Sequence, residues 1–144
     1  MIEQDTVKLL RECDAGVKMG VKSIDDVISH VKSQSFEKTL TDCKSEHQKL
    51  GKEIESELNR YGDKGKDPSL VATGMSKMKT SMKMAMKSSD KTIADLMTDG
   101  CNMGVKSLNR YLNQYKAADE RSKDITKRLI NLEERLAVDI RDYL

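Results

Sequence analysis

An eight-residue motif occurs twice in this chain, and the repetition constrains the fold more than any other feature. Gly16-Val17-Lys18-Met19-Gly20-Val21-Lys22-Ser23 matches Gly100-Cys101-Asn102-Met103-Gly104-Val105-Lys106-Ser107 at six of eight positions, at an offset of 84 residues. Continuing that offset sets Ile24 on Leu108, Val27 on Tyr111, Ile28 on Leu112 and Val31 on Tyr115. A later stretch aligns at an offset of 82, pairing Cys43 with Ile125, His47 with Leu129, Leu50 with Leu132, Ile54 with Leu136, Leu58 with Ile140 and Tyr61 with Tyr143. A turn shortened by two residues accounts for the change of offset. The chain therefore reads as two versions of one unit, residues 5–61 and 90–143, joined by residues 62–89.

Each unit has the periodicity of two helices. From Asp5 to about Ser33, Leu10, Val17, Ile24 and Val31 keep a seven-residue beat, with Val21 and Ile28 beside it and Cys13, Gly20 and Val27 on the other flank. This is the stripe of a long amphipathic helix. Ser33-Gln34-Ser35 is a polar break in which Ser35 is expected to cap a second helix, Phe36 to Tyr61. So short a break makes the two helices an antiparallel hairpin. Gly62-Asp63-Lys64-Gly65-Lys66 ends it, and Asp67-Pro68 starts a shorter helix reaching about Lys87. Ser88-Ser89-Asp90 either caps the next helix or lies in a continuous one. The second unit then repeats the hairpin over about Asp90–Lys116 and Asp119–Tyr143.

Composition supports an all-α reading and removes several functions. Aromatic residues are 3% of 144, with no Trp and one Phe, whereas sheets favour aromatic and β-branched side chains. The 26 basic and 24 acidic residues nearly cancel, which gives no electrostatic footprint for nucleic acid. No stretch approaches the roughly 18 apolar residues of a transmembrane helix, and no leader pattern opens the chain. Cys13, Cys43 and Cys101 are odd in number and lack CxxC spacing, so they are expected as reduced, buried thiols. A cytosolic location for one domain, residues 1–144, follows as an expectation.

Two equivalent hairpins must bury their apolar faces against each other, giving a four-helix bundle in which the middle helix is the crossover. At about 1.5 Å per residue, its roughly 19 residues cover about 28 Å, most of the way back along the bundle. This layout resembles the ferritin-like superfamily. Asp99-Gly100 with Gly104, and Asp14-Ala15-Gly16 with Gly20, are similar to the glycine-bearing first helices of small bacterial ferritin-like proteins of unknown function. The resemblance implies a test for di-iron ligands, an inward Glu on two helices and Glu-x-x-His on the other two. They are missing: Glu46 leads to Lys49, Glu53 to Ser56, Glu133 to Leu136 and Glu134 to Ala137, and His30 and His47 are the only histidines. Glu12 is expected opposite the core stripe.

No phosphate loop, GxSxG motif or nucleophile pattern is present, so the chain reads as a non-catalytic protein acting in binding or assembly, with no cofactor. The alternative is a metal-binding stress or storage protein for iron, manganese or copper, with Asp14, Glu46 and His47 as first candidates. His47 sits on a core line where its repeat partner is Leu129, and we read it as filling space left by a glycine, hydrogen-bonded to Glu46 or a hydroxyl. The spacing of Gly16 with Gly20, and of Gly100 with Gly104, allows two readings: close approach of the two first helices, which is the expectation, or a pocket for an apolar or planar ligand. The crossover combines a line of Met75, Met78, Met82, Ala85 and Met86 with Lys77, Lys79, Lys83 and Lys87. Packing on the bundle is its expected role, with a surface for a protein partner or anionic lipid and thioether ligation of copper as alternatives.

Overall fold

The computed structural model describes residues 2–66 and 89–144. The expected crossover helix 68–87, with its methionine line and Lys77, Lys79, Lys83 and Lys87, lies outside the described residues. Among the described residues there are four helices, α1 (Ile2–Ile28), α2 (Gln34–Arg60), α3 (Asp90–Gln114) and α4 (Glu120–Asp139), followed by a 3-10 turn at Arg141–Tyr143. With no strand among the described residues, the chain is an all-α four-helix bundle.

The helix ends follow from local hydrogen-bond chemistry. At the start of α2 the cap is Ser33 rather than Ser35: Ser33 has extended backbone, and its hydroxyl accepts from the Phe36 N–H. The Ser35 hydroxyl instead pairs with the Tyr143 phenol. Helix α1 accordingly stops at Ile28, five residues before the expected Ser33, to leave room for the turn. Ser89 and Asp119 cap α3 and α4 by accepting from the N–H of Thr92 and Ser122. Beyond the end of α2 the chain turns at Gly62, whose φ of 68° favours glycine. There Asp63 N–H donates to the Leu58 carbonyl and Gly62 N–H to Asn59, the paired bonds of a Schellman motif.

Helix α1 packs along α2 and α3 along α4, and the two hairpins meet through α2 on α4 and through α1 on both α3 and α4. The interior is divided along its length. Near the α1–α2 turn, Ile24, Val27, Phe36, Leu40, Ile93, Met97, Leu136 and Ile140 form one apolar cluster. Toward the other end, Leu10, Cys13, Val17, Leu50, Ile54, Leu58, Leu108, Ile125 and Leu129 form a second. Burial of each large aliphatic side chain contributes about 2 kcal/mol, so the clusters supply the main drive to close the bundle.

Polar contacts fix how the hairpins dock. The Asp90 carboxylate accepts from the backbone N–H groups of Lys32 and Ser33, at 2.8 and 2.9 Å, tying the start of α3 to the α1–α2 turn. At the opposite end Thr6 Oγ1 accepts from Asp119 N and Asp5 from Ala117 N. Thr6 and Asp90 are partners at the 84-residue offset, and each receives backbone donors from the turn of the other hairpin. Inside the bundle, the Thr126 hydroxyl donates to the Ser122 carbonyl, so the 3.1 Å contact to Cys13 has the thiol as donor.

Candidate functional site

His47 lies between the two apolar clusters, 1% exposed. Its Nδ1 is 2.8 Å from the Cys43 carbonyl, one turn earlier on α2, and 3.4 Å from the Cys43 sulfur. Since a carbonyl only accepts, Nδ1 carries a proton. Nε2 is 2.7 Å from Glu133 Oε1 on α4. Burial alone would lower the imidazole pKa, but the hydrogen bonds to Cys43 and Glu133 and the charge of Glu133 outweigh it and raise the value to about 10. The group is thus an imidazolium paired with a carboxylate. With both nitrogens engaged as donors it has no lone pair to take a proton from Cys43, so the neighbouring thiol and imidazole do not form a nucleophile–base pair.

The partner expected for His47 was Glu46 or a hydroxyl, and Glu46 is instead exposed on the outside of α2. A side chain adjacent in sequence on a helix points about 100° away, whereas Glu133 faces His47 across the bundle. A signal for it existed: Glu133 lies one turn beyond Leu129, the residue that the 82-residue offset pairs with His47. In the sequence it stood out only as the head of a Glu-x-x-His motif that is missing its histidine.

Asp14 is in another part of the structure. Its carboxylate accepts from Lys18 Nζ at 2.7 Å and from Lys66 N at 3.0 Å, fastening the segment after α2 to α1. Gly65, at φ of 87°, passes directly over it. Asp14 and His47 therefore contact different partners while Glu46 is exposed, and among the described residues no group of three or more His, Cys, Asp or Glu side chains has an arrangement that would hold a metal ion.

The glycines do not bring α1 and α3 backbone to backbone. Side chains from α2 and α4 take the space instead: Leu129 lies where a Cβ on Gly16 would be 3.5 Å away, His47 where one on Gly20 would be 2.9 Å away, and Glu133 where one on Gly104 would be 3.5 Å away. The remaining volume is a cavity of about 270 Å³ between α1 and α3. Ala15, Ile24, Met97, Leu108, Leu129 and Leu136 supply its apolar walls, all four motif glycines line it, and His47 with Glu133 forms its polar floor. Met19 and Met103, the matched methionines of the repeated motif, also line it, and Met103 is half exposed. Glu12, expected on the face away from the core stripe, lines the cavity too, paired with Lys66 Nζ at 2.6 Å. The Cys101 thiol in the same wall is pushed well above its ordinary pKa by burial and by the Glu133 carboxylate. It is a protonated, unreactive wall group.

A family model matches residues 5–114, and its description is "Domain of unknown function (DUF2383)". The matched span takes in α1 to α3, with His47, Cys101 and both glycine pairs, and ends before the helix that carries Glu133. No curated protein and no solved structure matches the chain.

Proposed function

The chain belongs to the family of domains of unknown function designated DUF2383, and we propose that it is a non-catalytic cytoplasmic bundle of ferritin-like type that binds a small, largely apolar molecule between α1 and α3. The observation that carries this reading is the cavity of about 270 Å³ with glycines on both helices and a hydrogen-bonded ion pair at its floor. A cavity of about 150 Å³ already accepts a benzene ring when its walls are apolar. Interior glycine costs a helix about 1 kcal/mol relative to alanine, and the four glycines lining the cavity leave room for its polar floor and for a ligand beside it, which gives that cost a use in binding. The succession of two hairpins with a long connection between them supports the ferritin-like assignment, and the absence of a free imidazole lone pair beside Cys43 supports a binding role over catalysis.

The test is titration of the purified protein with N-phenyl-1-naphthylamine, a neutral dye that fluoresces in apolar surroundings. Saturable binding of one dye per chain is expected, weakened at least tenfold in Gly104→Leu, whose side chain would occupy the cavity. Circular dichroism checks that the variant keeps its helices. Absence of saturable binding, or equal binding by a folded Gly104→Leu protein, overturns the reading.

A further inference from the structure

Glu133 uses one oxygen for His47 and presents the other to the cavity. Oε1 accepts from Nε2 at 2.7 Å, while Oε2 turns toward Gly104, 3.5 Å from where a Cβ would stand. No N–H or O–H of the described residues donates to Oε2, and it is not among the sealed, unsatisfied polar atoms of the described residues; the Cys101 thiol is hydrogen-bonded to the same carboxylate, whose oxygens can each accept more than one bond. From this geometry, and on the reading that the cavity is a binding site, we infer that its ligand is a neutral, planar molecule of about two fused rings that donates a hydroxyl or N–H hydrogen bond to Glu133 Oε2. Specificity then resides in the charge state and donor group of the ligand.

Each part of that description has a physical cause. The glycines of α1 and α3 in the cavity lining add no side chains to the space between the two helices, which admits a planar ring system there. The volume is somewhat under twice that which holds a single benzene ring. An anionic ligand would meet two lining carboxylates, Glu12 and Glu133, and the lining cation His47 has both N–H groups engaged. A cationic ligand would place a second positive charge beside the imidazolium in a poorly solvated site. A neutral donor meets neither penalty and gives a mostly buried carboxylate a strong hydrogen bond that an apolar molecule without a donor cannot supply.

Displacement of bound N-phenyl-1-naphthylamine by three molecules of one shape tests this. On the unmodified protein, 2-naphthol is expected to displace the dye at a concentration about tenfold below naphthalene, the weight of one hydrogen bond to a charged acceptor. The 2-naphthoate anion is expected to be the weakest. In Glu133→Gln the amide oxygen turns to His47 and an N–H donor replaces Oε2, so the advantage of naphthol over naphthalene disappears. Gly104→Ser provides an independent check, because its hydroxyl reaches Oε2 and removes the same advantage without touching the ion pair. If the dye binds but naphthol gains nothing over naphthalene, or naphthoate binds best, or the naphthol advantage survives in both Glu133→Gln and Gly104→Ser, the inference fails while the cavity remains a binding site. If the dye does not bind the unmodified protein at all, the binding-site reading fails and this inference with it.

Discussion

A charged pair at mid-bundle is expensive to desolvate and more expensive to break. Replacing one partner leaves a buried charge with nothing opposite, at a cost of about 3–5 kcal/mol, whereas replacing both by apolar groups of similar size is often neutral. His47→Leu is therefore expected to lose about 3 kcal/mol in urea unfolding, and His47→Leu combined with Glu133→Leu to recover most of it. A double variant no more stable than the single one would show that the two residues do not act as a pair. The pair also sets a pH dependence. The imidazole pKa rises from an ordinary 6.5 to about 10 on folding, so its contribution is complete below about pH 6.5 and is lost as pH climbs through 10. The groups facing it are Glu133 and the Cys43 thiol, and the Cys101 thiol borders Glu133. Unfolding free energies between pH 7 and 10 should thus fall more steeply for the unmodified protein than for the double leucine variant. That His47 occupies a core line could be read from periodicity. Its charge state could not, because it depends on an oxygen 86 residues away in the chain.

At the scale of the helix, the repeated glycines look equivalent in sequence and differ in surroundings. Alanine at Gly104 would meet Glu133 atoms at 3.5–3.7 Å, ordinary contact distances. That substitution gains helix propensity without strain and is expected to stabilise the protein by about 0.5–1 kcal/mol. Alanine at Gly20 would bring its Cβ to 2.9 Å from His47 Cδ2 and 3.0 Å from Nε2. The ring is held at both nitrogens and cannot yield without losing a hydrogen bond, so Gly20→Ala should destabilise by about 1–3 kcal/mol. Thermal unfolding of the two variants separates these outcomes, and a shift in the same direction for both would contradict the geometry. Helices α1 and α3 do meet, but what covers Gly16, Gly20 and Gly104 is side chains and not the facing backbone, for a related reason. A missing Cβ creates space, but which neighbour fills it is decided by the longer side chains of α2 and α4, residues that spacing within one helix does not reveal.

Across the whole molecule, the docking of the hairpins depends on a few polar contacts at the ends and on apolar burial between them. Removing the Asp90 carboxylate leaves the Lys32 and Ser33 N–H groups without their partner. Asp90→Ala is expected to cost about 1–3 kcal/mol, read as a lower unfolding midpoint in urea with the helical signal of the native protein unchanged. An unaltered midpoint would mean that the apolar clusters alone set the docking. No described helix is long and apolar enough to cross a membrane. The sequence by itself determined that the chain makes paired long helices, where each hairpin turns to within a few residues, and which apolar lines meet, because these depend on spacing along one helix and on capping groups adjacent in the chain. Tertiary structure alone decided that His47 meets Glu133, that Asp14 holds the segment after α2, and that the glycine faces line a cavity. Those outcomes depend on the relative height and rotation of four helices, where an ångström of shift separates close packing from a cavity, and no local pattern of residues encodes that distance.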